Sequence, residues 1–528
     1  MKIQINTIRI PVNIAKERLK PLVLKKFHLN ESDIADFRIL RWSVDARKKA
    51  DVVSNFKVML ELKHEMPELL ALPEVSLWQE PEPMEYQEWT HPCRPVVVGF
   101  GPAGMFAALY LARCHARPIV IERGERVEER KKSVERFLKE KILNPDSNIQ
   151  FGEGGAGTFS DGKLTTNLHN ELIGFVLEEF YQHGAPEDVL YAHQPHVGTD
   201  YLEIVVRNIR EEILSLGGEI LFNTTFTDFR RQKDGSLTVI CGSGAELNTQ
   251  YLLLGLGHSA RDTLRHLHGA GLKMEPKSFS VGVRVEHLQS AVNTMQYGKF
   301  ASYLPPASYK GAVHVKQRGA YTFCMCPGGT VMASASEEGA IVTNGMSEKS
   351  RNKENANSAL LVGIEPSDFY QSSPLDGLDF QEQLERKAFS ISGDHRAPAN
   401  LMREFLQGRV ASRERSIHPS YPHGVVFCDL RCCLPDYVVE TLQEAIPLLD
   451  RKLRGFAHAD AVLTGVETRS SSPVRILRGE DRQSNVTGIY PIGEGAGYAG
   501  GITSSAIDGL RTAIHIVQLN NQTHQHNG

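Results

Sequence analysis

Three glycines, a proline and an acid carry the first chemical signal in the sequence. Residues 99–122 read GFGPAGMFAALYLARCHARPIVIE, so Gly99, Gly101 and Gly104 follow the apolar run Val96–Val98 and lead into an apolar, helix-like segment. In that setting Gly99 permits a tight turn, Gly101 lets the backbone approach a pyrophosphate, and Gly104 lets helix and strand pack closely. Ala103, just after Pro102, begins a helix to about Arg113, whose N-terminal N–H groups and partial positive charge favour phosphate. A second apolar strand, Pro118–Ile121, ends at Glu122, about 20 residues on, where a carboxylate accepts hydrogen bonds from ribose hydroxyls and disfavours a 2′-phosphate. Arg123 stands beside it. The pattern predicts a bound dinucleotide, and its spacing alone does not separate FAD from NAD.

Other clusters are less specific. The run FGEGGAGTFSDGKLTT, Phe151–Thr166, has more glycine than an ordinary connection needs. Glycine permits close backbone approach, so Gly155, Ala156, Gly157 and Thr158 are expected to contact the cofactor, with Asp161 and Lys163 at the rim. Cys324 and Cys326 form a Cys-x-Cys pair. Residues two apart on a strand share a face, so both thiols are expected to pack inside their domain, the alternative being a redox pair. His418, His423, Cys428, Cys432 and Cys433 lack the paired spacing of a closed zinc site, and no metal is expected. Strand alternation places Glu467, Arg469 and Ser471 on one face and Ser470 and Ser472 on the other, with one set toward cofactor or substrate. Arg284 and Glu286 read equally well as a cross-sheet pair.

The elements that position these residues fall into unlike stretches. A chain of 528 residues exceeds one compact core, and 41% hydrophobic with 23% charged residues is ordinary for a soluble protein. A net charge of -4 argues against the whole chain being a nucleic-acid binder. Residues 1–64 predict strand, helix, strand, strand (Ile3–Val12, Ala15–Phe27, Phe37–Val44, Asn55–Leu62), a small α+β unit of ferredoxin-like type with 14 Lys and Arg against 7 Asp and Glu. Residues 65–92 hold seven glutamates, five prolines and no Lys or Arg, and read as an acidic extended linker. The texture is α/β over 93–285, turns to shorter strands over 286–459, and returns to α/β over 460–528, as when one domain interrupts another. Eight scattered cysteines and a start without an apolar signal segment point to a reducing compartment, hence the cytoplasm. No apolar run approaches the roughly 18 residues that a membrane span requires.

A resemblance resolves the choice of dinucleotide. Residues 488–513, GIYPIGEGAGYAGGITSSAIDGLRTA, resemble the second flavin motif of the glutathione-reductase-type FAD superfamily. It implies that Gly493 and Glu494 stand where that superfamily has Gly-Asp, the acid bonding the ribityl chain; here the longer glutamate replaces the aspartate. It also implies that Gly501 and Ile502 open a helix aimed at the flavin N1–C2=O edge. YLLLGLGHSARDT, Tyr251–Thr263, is similar to the middle motif, an apolar strand ending near Gly257, and ILFNTTFTDF, Ile220–Phe229, to the strand that meets the adenine near Phe226. Together with FSVGVRVEH (Phe279–His287), FCMCPGG (Phe323–Gly329) and ETRSSSPVRI (Glu467–Ile476), the glycine run at Phe151–Thr166 resembles a bacterial family of FAD-dependent dehydrogenases. That family of NAD(P)/FAD-dependent oxidoreductases is related to the geranylgeranyl reductase and p-hydroxybenzoate hydroxylase groups.

The resemblance covers nearly the whole chain. It implies an α/β fold: a Rossmann-like FAD-binding domain in two parts, an inserted mainly β substrate domain, and a small N-terminal α+β domain. It further implies an oxidoreductase passing a hydride through flavin N5 to or from a small-molecule substrate that it leaves unnamed. No second Gly-x-Gly-x-x-Gly follows a strand, so NAD(P)H is expected at most as a transient donor, another reductant being the alternative. The disulfide oxidoreductases of this superfamily carry CxxxxC soon after the first glycine motif, and this chain has none there. An FAD-dependent tRNA-modifying protein is the rival reading. It rests on the basic N-terminal unit alone, and a nucleic-acid partner is not expected.

Overall fold

The computed structural model describes residues 1–410 and 415–525. Alternating isoleucines build its N-terminal unit: Ile3, Ile5, Ile8 and Ile10 share one core, and the break in their spacing is a bulge where Lys2–Pro11 pairs with Val53–Leu62. The antiparallel sheet runs Ile34–Asp45, Val53–Leu62, Lys2–Pro11, Val75–Leu77. Helix Leu19–Lys26 adds Leu19, Val23 and Leu24 to the same core. Pro21 falls in its first turn, where a missing N–H forfeits no helical bond.

The acidic stretch departs from the extended linker that its prolines suggest. Pro67–Ala71 is a short 3-10 helix and Val75–Leu77 is the fourth strand of the sheet. Its glutamates return to the basic unit, with Lys2–Glu80 at 2.8 Å, Lys26–Glu74 at 3.1 Å and Arg38–Glu80 at 3.4 Å. Farther on, Trp89 is buried in the core beneath helix Pro102–Arg113 and its N–H meets the Cys114 carbonyl at 2.7 Å, while Arg113 reaches the Tyr86 hydroxyl at 2.7 Å. One short edge strand and two aromatic anchors leave no periodicity for composition to reveal.

Five parallel strands form the central sheet, in the order Ile489–Pro491, Leu252–Leu254, Val96–Val98, Ile119–Ile121, Glu219–Leu221. The inner strands read VVV, IVI and LLL and are buried throughout, as a parallel sheet covered on both faces demands. The expected strand over Ile220–Phe229 is instead two: Glu219–Leu221 joins this sheet and Phe226–Arg231 an antiparallel one, separated by a turn where Asn223 has φ 51°. Helix Ile502–Gln525 crosses helix Pro102–Arg113 closely, since a Cβ on Gly509 would lie 2.0 Å from the Ala103 carbonyl oxygen.

Between Leu254 and Ile489 the chain builds a seven-stranded sheet in the order Ala312–Val315, Arg318–Cys326, Asn355–Ile364, Phe279–Leu288, Val462–Glu467, Ala397–Leu401, Val425–Phe427. Its outer members in sequence, Phe279–Leu288 and Val462–Glu467, reach past the 286 and 459 boundaries, because they pair with each other along the sheet's centre. Two 17-residue helices, Asp376–Ser392 and Asp436–Lys452, pack on it. No helix among the described residues is long and apolar enough to cross a membrane.

Candidate functional site

The three glycines of the first turn differ in what surrounds them. Gly99 has φ 91° and a Cβ there would lie 2.3 Å from the Gly255 carbonyl oxygen; on Gly104 it would lie 1.9 Å from the Gly99 oxygen. Both are required by the protein's own packing. A Cβ on Gly101 would only touch Gly155 Cα at 3.6 Å, ordinary van der Waals contact, so the chain's packing does not demand glycine there. The space beside it opens into a cavity. Gly104 accordingly does not reach the cavity, whereas Gly99, Gly101, Pro102 and Ala103 line it.

That cavity, about 1190 Å³, lies between the parallel sheet, the glycine loop and the seven-stranded sheet. It exceeds the roughly 300–1,000 Å³ of common small-molecule pockets. Glu122 borders it, yet both its oxygens already accept backbone N–H groups: Oε2 from Phe100 at 2.7 Å, Oε1 from Gly124 at 2.9 Å and Gly152 at 3.0 Å. The acid therefore ties the first turn to the glycine loop, and only its remaining lone pairs are open to a ribose. Arg123 also lines the cavity, over the Phe151 ring at 4.6 Å, and is held by Asp262 at 2.7 Å.

Gly155, Ala156 and Gly157 present backbone to the cavity. Thr158 does not, contrary to expectation: its hydroxyl turns inward to the Glu153 carbonyl at 3.2 Å and its own carbonyl accepts from Thr199 at 2.6 Å. The loop's frame is a set of residues that sequence reasoning missed. Fully buried Arg130 donates to the carbonyls of Asn148, Ile149 and Glu153 at 2.9, 3.1 and 2.6 Å. The Glu153 carboxylate accepts from Val127 N–H and Arg210 at 2.7 Å each. These partners lie 18 to 57 residues apart, and no local pattern announces them.

Asp161 and Lys163, expected at a rim, form an ion pair at 2.8 Å on the cavity wall, Asp161 buried and Lys163 half-buried, and Arg351 adds two bonds to Asp161 at 3.0 and 2.6 Å. Burial pushes the Asp161 carboxyl up, but Lys163 and Arg351 outweigh it and hold it at about 2. Phe226 and Gly257 line the same cavity, as do Gly493, Glu494, Gly501 and Ile502. Helix Ile502–Gln525 begins there, so a second helix N-terminus opens on the space already faced by helix Pro102–Arg113.

The far wall comes from the seven-stranded sheet and its exit. Glu467, Arg469 and Ser470 all line the cavity; the expected alternation fails because the strand ends at Glu467. Arg284 pairs with Glu467 at 2.8 Å rather than with Glu286, which instead accepts from Asn355 at 3.0 Å and Ser420 at 2.5 Å. Arg469 is fixed by Glu385 at 3.0 and 2.8 Å, and Glu385 also takes Arg261 at 2.9 and 2.7 Å. Burial raises the Glu467 and Glu494 carboxyls to about 7 each, against the pull of Arg284 on the first and Lys277 on the second. Burial, then Arg469 and Arg261, lowers neighbouring His258 to about 3, leaving a neutral imidazole 3.6 Å from Glu494.

This is a mixed α/β architecture in which a second, antiparallel sheet closes over the cavity beside the glycine turns. Residues 278–470 match the family model described as "FAD-dependent protein, C-terminal domain-like", and residues 2–61 match "Domain of unknown function (DUF8436)". The chain belongs to the same family as an uncharacterized protein of Clostridium beijerinckii, to which it is 46% identical over 528 residues, 98% of this chain and 99% of that one. Solved structures similar to it include CtdE in complex with FAD (12% identity, 82% of this chain and 89% of that one, TM-score 0.32). The halogenase PltM, as its L111Y mutant with FAD, is another (9%, 83% and 71%, TM-score 0.40), as is glycine oxidase from Geobacillus kaustophilus (11%, 82% and 95%, TM-score 0.35).

Proposed function

We propose that the protein is an FAD-dependent oxidoreductase acting on a small molecule in the cavity between its two large sheets. The observation that carries this reading is the open space at Gly101 beside Gly155, at the head of one helix, in a cavity that a second helix N-terminus enters at Gly501–Ile502. Gly99, Gly101, Pro102 and Ala103 would hold the pyrophosphate through backbone N–H groups and the helix's positive end. Glu122 and Arg123 would meet the adenosine side, with Phe226 and Gly257 near the adenine, and Gly155–Gly157 would close over the chain of the cofactor. Gly493, Glu494, Gly501 and Ile502 would face the ring end, where the helix terminus stabilises negative charge on a reduced flavin.

The bound flavin would supply hydride transfer at N5, and the protein supplies orientation, dryness and charge. Glu467, raised toward neutrality, suits holding or releasing a proton at a carboxyl oxygen on the substrate side, and Glu494, raised likewise, at the ring end. NAD(P)H is proposed only as a donor that visits the open face. The tRNA-modifying alternative loses support, because Glu74 and Glu80 engage Lys2, Lys26 and Arg38 of the basic unit. The test is direct: purified protein should be yellow, release FAD and neither FMN nor NAD on denaturation, and bleach anaerobically with a subset of screened metabolites or with NAD(P)H. A colourless protein that takes up no added FAD overturns the reading.

A further inference from the structure

The strand Arg318–Cys326 loses register with Asn355–Ile364 between Phe323 and Cys326, and Cys324, inside that break, has φ 43°. A residue with a side chain enters this left-handed region at a cost, and such strain gathers where function requires it. The kink undoes strand alternation: Phe323, Cys324 and Met325 all face the cavity. The buried Cys326 thiol lies against Cys324, donating to its carbonyl oxygen at 3.3 Å and interacting with its sulfur. Two cations close on the pair. Arg284 Nη2 stands 3.7 Å from Cys326 Sγ and 2.6 Å from the Cys324 carbonyl oxygen, and Lys163 Nζ stands 4.0 Å from Cys326 Sγ.

Thiols beside fixed cations are the reactive kind. The hydrogen bond from Cys326, helped by Lys163 and Arg284, draws the Cys324 thiol well below its ordinary value, and the same bond with burial pushes Cys326 well above its own. The cations stand nearest the Cys326 sulfur, so they act on the pair rather than on Cys324 alone. A pair that only filled a core would need neither a left-handed backbone at Cys324, nor two cations beside Cys326, nor one of its thiols on the cavity wall.

We propose that Cys324 and Cys326 are a dithiol–disulfide pair that exchanges two electrons with the FAD of this cavity, an inference that rests on the cofactor reading above. In the forward direction the pair holds one thiolate and one thiol. The S–H bond of the thiol breaks, an S–S bond forms between Cys324 and Cys326, and the electron pair with that one proton passes to oxidised flavin, giving the reduced flavin anion. Two sulfurs are oxidised, one flavin is reduced, and charge is conserved. A disulfide bridging a single intervening residue closes a small strained ring, and strained disulfides are the more oxidising, labile ones suited to transfer.

The test uses the purified holoprotein. After air oxidation and anaerobic denaturation, its free thiols should number two fewer than its eight cysteines, and the peptide holding Cys324 and Cys326 should be lighter by two hydrogens than after dithiothreitol treatment. Dithionite titration should consume four electrons per flavin in the wild type and two in Cys326→Ser. Eight thiols in an air-oxidised yellow protein that takes up two electrons overturns the redox pair and leaves the cofactor reading standing. The disulfide in a protein that takes up no FAD overturns the cofactor reading and with it the electron partner.

Discussion

Gly101 and Gly104 look alike in the sequence and do different work. A methyl group at Gly104 has no room, 1.9 Å from the Gly99 oxygen, whereas at Gly101 it is accommodated by the protein alone. Gly104→Ala should therefore lower the stability of the flavin-free protein by about 1–3 kcal/mol or more, in the manner of overpacked cores. Gly101→Ala should leave the flavin-free melting temperature nearly unchanged and weaken FAD binding about tenfold or more, read by melting curves beside a flavin fluorescence titration. Equal losses of both properties in the two variants would remove the distinction. Glu494 offers a second residue-level expectation. Burial holds its carboxyl at about 7 in the folded chain, against about 4.3 when unfolded, so the folded state binds the proton more tightly. Its contribution to stability is full below the unfolded value and is lost as pH rises through 7. Glu494→Gln keeps the neutral shape and carries no such loss, so flavin-free variant and wild type should diverge between about pH 5 and 8, by about 1–3 kcal/mol in the variant's favour at pH 8. Superimposable pH profiles of melting temperature would refute this.

At the scale of elements, the N-terminal unit meets the rest of the molecule through the strand Ile34–Asp45 and through Lys16, whose ammonium lies 4.2 Å from the centre of the Tyr191 ring. In Ile34–Asp45, the Trp42 N–H donates to the Tyr191 carbonyl at 2.7 Å and its carbonyl accepts from His193 at 2.8 Å. His193, Gln194 and Pro195 continue into the cavity wall, so this sheet braces one side of the site without supplying any part of the glycine turns. Removing residues 1–79 should then leave flavin content near wild type and change substrate access, visible as a shift in KM more than in kcat. Removing residues 1–92 should be far more damaging, because it strips Trp89 and Tyr86 from helix Pro102–Arg113. Loss of one buried tryptophan alone costs about 3–5 kcal/mol. The ion pairs of Glu74 and Glu80 are exposed and worth about 0–1 kcal/mol each, so salt should do little by comparison. Comparing the two truncations by flavin content and melting temperature checks this, and indistinguishable behaviour would show that residues 80–92 are only a tether.

Across the whole molecule, what could be read in advance obeyed local rules. The turn at Gly99–Gly104, the helix after it and the second strand to Ile121 each follow from neighbouring residues, whereas the shift to shorter strands expected after residue 285 is reversed: Phe279–Leu288 and Asn355–Ile364 have ten residues each and the inner parallel strands three. What escaped notice depended on partners far along the chain: Arg130 gathering three carbonyls, Glu153 on Arg210, the acidic stretch pairing as a strand, and Thr158 turning inward. The strand alternation expected for the Cys-x-Cys pair fails for a related reason, since it assumes a regular strand and the break at Cys324 abolishes it. One such long-range pairing bears on how the protein is made. Ile489–Pro491 completes the parallel sheet beside Leu252–Leu254, and helix Ile502–Gln525 covers helix Pro102–Arg113. At about 5–20 residues per second, a ribosome needs roughly ten to fifty seconds to travel from the one strand to the other. Throughout that interval the Leu252–Leu254 edge has no neighbour on that side, a template for pairing with the wrong chain. Nascent chains therefore pass through a window of aggregation risk that closes only when Ile489–Pro491 has left the exit tunnel and paired with Leu252–Leu254.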